Sequence, residues 1–145
     1  MVTSTVVSGF GVQFKTGDGA SPEVFTAVAE VLSVGGPTIN RDVIEATHTD
    51  SPDNYKEFLS GLTDGGEVTV TMNFLPGNTT QDESQGIMGD FLVQTLRNYQ
   101  VVFPTSPAVT WTFAAFITAF EPDAPIDDRM TSTTTFKLSG KPTLT

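Results

Sequence analysis

The chain has 145 residues, no cysteine, and seven Lys and Arg against seventeen Asp and Glu, for a formal net charge of −10. That length suits one domain, which buries roughly 70% of the surface its unfolded chain exposes and folds without a metal. The absence of cysteine excludes disulfides, a thiol nucleophile and a thiolate metal site. The acidic surplus argues against binding nucleic acid by neutralising phosphates, which needs clustered cations. It fits solubility or, more sharply, an acidic surface past which a polyanion moves without sticking.

From Met1 to Thr5 there is no basic stretch followed by an apolar one, so no signal peptide is expected. No apolar run approaches membrane-spanning length; the longest candidate, Trp111 to Phe120, is interrupted by Thr112 and Thr118. The chain therefore reads as soluble and made in a cytoplasm, with a flexible arm over about residues 1–8. Phe10, Val12 and Phe14 alternate with Gly11 and Gln13 as in a strand, and Asp18-Gly19 marks a turn. Val24 to Val31 alternates loosely. Gly35-Gly36-Pro37 breaks the chain, and Thr38 to Ile44 resumes as a strand.

Thr47 to Gly66 then reads as a long inter-strand loop, mostly polar but holding Tyr55, Phe58, Leu59 and Leu62. A loop this long in a compact domain is usually functional or disordered. Large apolar side chains would be poorly placed if they met only water. The inference is that the loop becomes ordered against something else, a neighbouring copy of the chain being the first choice. Glu67 to Phe74 follows as a clean strand: Val68, Val70, Met72 and Phe74 on one face, Glu67, Thr69, Thr71 and Asn73 on the other. The first set is expected to bury against Phe91, Leu92 and the last strand.

The spacing of Ile87, Met88, Phe91, Leu92, Thr95, Leu96 and Tyr99 predicts one helix over Ser84 to Tyr99, its apolar face packed on the sheet. Asp82 to Ser84 supply capping chemistry at its start, and Arg97 lies near its end. Strands are expected at Tyr99 to Phe103, Thr110 to Phe120 and Thr131 to Ser139, the first two joined as a hairpin through Ser106-Pro107. Residues 140–145 form a short tail. The pattern is an all-β sandwich or barrel with one flanking α-helix.

Sites of chemistry are sparse. His48, the only histidine, has no metal-ligand spacing around it and reads as a solvated loop residue. Glu121, Asp123, Asp127 and Asp128 do not match a calcium loop and are stiffened by Pro122 and Pro125, so they read as a solvated turn. Gly17-Asp18-Gly19 lacks the context of a phosphate loop. No cofactor, metal or catalytic residue is assigned, and the protein is not expected to be an enzyme.

The run Asp50-Ser51-Pro52-Asp53-Asn54-Tyr55-Lys56-Glu57-Phe58-Leu59-Ser60-Gly61-Leu62, then Asp64 to Val70, then Asn73-Phe74-Leu75-Pro76 resembles the tail tube protein of long, non-contractile-tailed phages of the lambda type. Tyr99 to Pro104, Trp111 to Phe113, Ala124 to Met130 and Leu138 to Leu144 agree in order, so the resemblance covers about residues 24 to 145. It implies a β-sandwich with one helix, six subunits in a ring, and rings stacked into a hollow tube. The tube surrounds the tape measure protein and later conducts DNA without binding it specifically. Tail terminator and tail tip proteins would be further partners, no membrane is involved, and the site of action is the virion tail. The resemblance implies inter-subunit contacts through Asp50, Ser51, Pro52, Tyr55, Lys56, Phe58, Leu59 and Leu62. Glu67 is the candidate lumen or subunit-contact carboxylate. No second, immunoglobulin-like domain is evident after Leu144, so outer-surface decoration is not implied. The alternative is a stand-alone β-sandwich binding module, an adhesin or carbohydrate reader.

Overall fold

A computed structural model describes residues 2–145; Met1, the first residue of the expected arm, lies outside the described residues. The strands are β1 (Gln13–Gly17), β2 (Phe25–Ala27), β3 (Val31–Gly35), β4 (Asn40–Glu45), β5 (Phe58–Asp64), β6 (Glu67–Asn73), β7 (Arg97–Phe103), β8 (Val109–Asp123), β9 (Thr131–Leu138) and β10 (Thr143–Leu144). Among the described residues the one α-helix, α1, is Ile87–Val93, and a 3-10 turn covers Pro52–Asn54. Eight strands form one sheet in the order β2-β1-β7-β8-β9-β6-β3, with β10 added to β8; β4 and β5 pair only with each other.

The fifteen-residue β8 belongs to both layers of the sandwich. Its first half pairs β7 (Phe103↔Val109 to Arg97↔Ala115) and its second half pairs β9 (Ala115↔Leu138 to Asp123↔Thr131), with a bulge between Ile117 and Ala119. A bulge bends a strand and increases its twist, which lets one strand turn the corner between layers. Four rings then join the layers across the core. Phe14 lies 4.9 Å from Phe136, and Tyr99 4.8 Å from Phe136, with Phe113 packed beside them. Val68, Val70 and Met72 are fully buried, as their alternation predicts, with Phe136, Thr134 and Ser132 of β9 opposite them; Phe74, expected with them, is only half-buried and packs on Phe120.

The helix is shorter than the periodicity predicts. Asp82 accepts hydrogen bonds from the amides of Gln85 and Gly86, tying residues 82–86 into turns rather than a first helical turn. Gln94 takes a left-handed conformation (φ 59°) and stops the helix at Val93. Arg97 onward is strand, so Tyr99 is a buried β7 residue and not the end of a helix. Its hydroxyl donates to Asp90 Oδ2 (3.2 Å), and Arg97 Nε lies 3.2 Å from Asp90 Oδ1, so the three side chains fasten α1 to β7. Burial pushes the Asp90 carboxyl above its usual range, opposed by the Arg97 charge. Ile87 is buried and Phe91 packs against the core, but Leu92 and Leu96 do not meet the sheet; both are about half exposed. A seven-residue helix has room for only one such contact face.

The expected tail also differs. Thr143 and Leu144 pair with Thr112 and Trp111 as β10, and Pro142 is buried. Residues 2–8 carry no strand or helix, and Val2 and Val6 are almost wholly exposed.

Candidate functional site

The segment read as a loop from Thr47 to Gly66 is, for a third of its length, strand. β5 runs Phe58–Asp64 and pairs with β4 from Glu45↔Phe58 to Asn40↔Asp64, making a two-stranded ribbon that leaves the sandwich. Its alternation is hidden because both faces carry apolar residues. Val43 stands opposite Ser60, on the face of Phe58, while Ile44 stands opposite Leu59 on the other; the register shifts between these pairs and Arg41↔Thr63, so Gly61 and Leu62 form a bulge opposite Asp42. Neither face is covered: every residue of β4 is exposed, and only Gly61 of β5 is half-buried. Leu62 is 85% exposed, Tyr55 74% and Val43 67%. An isolated two-stranded hairpin is marginal in water, and a core strand would hide at least one face.

The connecting turn is ordered by its own polar groups. The Ala46 amide donates to the Glu57 carbonyl (2.8 Å), and the Glu57 amide donates to Thr47 Oγ1 (3.0 Å). Asp53 and Asn54 both take positive φ, which Asp and Asn tolerate best among residues with a Cβ. Ser51 Oγ donates to Glu57 Oε2 (2.6 Å), and His48 Nδ1 lies 3.2 Å from the same carboxylate oxygen. His48 is exposed, as expected, but tied into the turn. Ser51 Oγ also lies 3.3 Å from His48 Nδ1, but its proton goes to Glu57, so serine, histidine and glutamate meet here without the order of a hydrolytic triad.

The root of the ribbon is held by hydrogen bonds. Asp64 accepts the Gly66 amide (2.9 Å) and both of its oxygens accept from Lys137 Nζ (2.8 and 3.0 Å). The Lys137 hydrogen bond and the Gly66 amide hold the Asp64 carboxyl below its usual range. Thr38 donates to the Glu67 carbonyl and Leu138 to the Gly66 carbonyl. Gly66 has φ +74°, and a Cβ there would overlap the Thr38 carbonyl oxygen. Gly66→Ala is therefore expected to lower the thermal midpoint by several degrees or leave the protein insoluble. Thermal unfolding by circular dichroism checks this, with Gly77→Ala, where a Cβ meets nothing, as the neutral control.

All eight sequence-predicted contact residues fall on this ribbon. Asp50, Ser51, Pro52, Tyr55 and Lys56 lie in the turn, and Phe58, Leu59 and Leu62 lie on β5. Val43 and Ile44 join them and were not predicted; an apolar pair at the end of a strand otherwise polar at Asn40, Arg41 and Asp42 was the available signal. Glu67 sits at the root, exposed, as the first residue of β6. The acidic stretch is divided: Glu121 and Asp123 close β8, while Asp127 and Asp128 lie in the following turn. Among the described residues, no group of His, Asp and Glu has the arrangement of a metal site.

Solved structures share this architecture. A chain from the tail of an empty gene transfer agent particle, obtained by helical refinement with C6 symmetry, is 16% identical with a TM-score of 0.75, covering 97% of this chain and 99% of the other. A chain of the sheath–tube complex of an extracellular contractile injection system, PVC, is 18% identical with a TM-score of 0.68, covering 99% of each. The SPP1 tail tube protein is 13% identical with a TM-score of 0.63, covering 92% of this chain and 74% of the other. No curated protein matches by sequence. The class is therefore an all-β tail-tube fold with one helix. Residues 8–145 match the family model of the lambda phage tail tube protein, and the chain belongs to that family. Its role is structural, as a component of a virion tail tube.

Proposed function

We propose that six copies of this chain close into a ring, that rings stack into a hollow tube, and that the β4–β5 ribbon is the main contact between copies. The observation that carries this is the ribbon itself, with five large apolar side chains exposed on its two strands and Tyr55 exposed in its turn. Covering side chains that are more than half exposed contributes about 1–2 kcal/mol each, which the isolated subunit forgoes. The chain acts by assembly rather than catalysis. The tape measure protein occupies the lumen during assembly, terminator and tip proteins close the ends, and the chain reaches the virion tail after synthesis in the host cytoplasm. Electron microscopy of the purified, concentrated protein tests the reading: hollow tubes with six-fold end views are expected. A protein that stays monomeric at every concentration and binds a glycan through its exposed aromatics would instead be a stand-alone binding module.

The outward face of β6 and β9 suits a wall past which DNA moves. Thr69 stands opposite Thr135 and Thr71 opposite Thr133, a surface of hydroxyls. Its one cation, Lys137, stands opposite Glu67 and is already held by Asp64. Phosphates find no free cation there, and so no counterions to release by binding. We assign Glu67 to this lumen face or to the subunit contact at its rim. Purified tubes are expected to show no measurable DNA affinity at physiological salt. Glu67→Lys is expected to assemble normally and to slow genome delivery, measured as the rate of DNA ejection from reconstituted particles. Unchanged ejection removes Glu67 from any part in passage.

A further inference from the structure

The ribbon and a cavity beside α1 lie at opposite ends of β6. The ribbon joins at Glu67, the first residue of that strand. At the other end, Gln81 Nε2 donates to the Asn73 carbonyl (3.0 Å), and its neighbour Thr80 lines the cavity. Seven residues of strand separate these ends by about 20 Å.

The cavity, of about 570 Å³, opens between the β1–β2 turn, the 79–85 segment and α1. Two features mark it as a receiving surface. Its lip carries Leu92 and Val93, each about half exposed, and Leu96 borders an adjoining recess of about 180 Å³. Leu92 and Leu96 belong to the predicted helix face and found no partner in the sheet; Val93 lies beside them. It also presents free negative charge. Asp18 lines both spaces, its carboxyl held below the usual range by the Ala20 and Val24 amides. Glu83 is exposed and has no ion-pair partner among the described residues, whereas Arg97 is already paired with Asp90.

The ribbon offers the complement. Lys56 lies in its turn, without an ion pair among the described residues, one residue from Tyr55 and two from Phe58. We propose that Tyr55, Lys56 and Phe58 of one copy dock at the α1 cavity of the next, aromatic rings against Leu92, Val93 and Leu96, and Lys56 facing Asp18 and Glu83. The proposal rests on the assembly reading and names the surface that receives the ribbon. Donor and acceptor at opposite ends make the contact heterologous. A pair of copies always leaves one ribbon and one cavity unused, so the contact extends beyond a dimer, around a closed ring or from ring to ring.

The chain lacks cysteine, so introduced thiols report the contact without background. Tyr55→Cys and Val93→Cys in one chain should give, on mild oxidation of tubes, a ladder of covalent dimers, trimers and higher species on non-reducing gels. Either single variant should give none, since the bond needs one thiol of each kind within about 7 Å between Cα atoms. Tubes that form without a ladder overturn the docking proposal but leave the assembly reading intact; an unmodified protein that forms no tubes overturns both. A charge exchange decides the matter independently, including for a double-cysteine chain that does not polymerise. Lys56→Glu and Glu83→Lys should each raise the critical concentration for assembly at least tenfold, and the two combined should recover most of that loss. A double variant no better than the worse single one overturns the pairing.

Discussion

Val70→Asp is expected to prevent folding. Val70 is fully buried in the middle of β6, between Val34 of β3 and Thr134 of β9, and its side chain enters the core shared with Met72 and Phe136. A carboxylate there loses its hydration without gaining a counter-charge, which costs several kcal/mol even after protonation and relaxation. Loss of the valine contacts adds to this. A domain of this size is stable by only about 5–15 kcal/mol in total. The expected outcome is insoluble protein, or soluble protein without a cooperative thermal transition by circular dichroism. A well-folded Val70→Asp variant would mean that the other face of β6 points inward.

Substitution on the ribbon is expected to have the opposite profile. Phe58, Leu59 and Leu62 all lie on β5 of the ribbon and are more than half exposed in the subunit. Surface truncations of this kind usually move stability by no more than about 0.5 kcal/mol. If six equivalent subunits each bury these side chains on neighbours, the loss is repeated at every contact of the tube. Phe58→Ala with Leu62→Ala should leave the thermal midpoint of the subunit within about two degrees, while abolishing tube growth followed by light scattering. A collapse of subunit stability would place these residues in the core instead.

Where one face of an element is buried, the sequence was readable. The alternation read from Glu67 to Phe74 and through the last strand matches the fully buried positions of β6 and β9 up to Met72, with only Phe74 half-buried, since a strand packed on one side must alternate. Reading failed where that condition failed. Phe58 to Asp64 has both faces free in the subunit, so nothing forces alternation, and it passed for loop. The helix was overextended because Thr95, Leu96 and Tyr99 continue a helical spacing by coincidence. Tyr99 is buried from a strand, and the stop is set by the left-handed backbone at Gln94, a residue with no intrinsic stop signal. The candidate site was legible for a related reason. Tyr55, Phe58, Leu59 and Leu62 stood out as apolar residues without a local partner, and the fold supplies none. The cavity beside α1 was not legible, because it is built from the β1–β2 turn, the 79–85 segment and the helix, which are distant in sequence.

The central claim is that the ribbon is completed by other copies of the chain. Amide hydrogen exchange tests it directly, comparing dilute subunits with assembled tubes at the same pH and temperature. Amides of residues 55–62 should exchange rapidly in the subunit and at least a hundredfold more slowly in the tube, while those of β6 and β9 stay protected in both. Equal exchange of residues 55–62 in the two states would contradict the account.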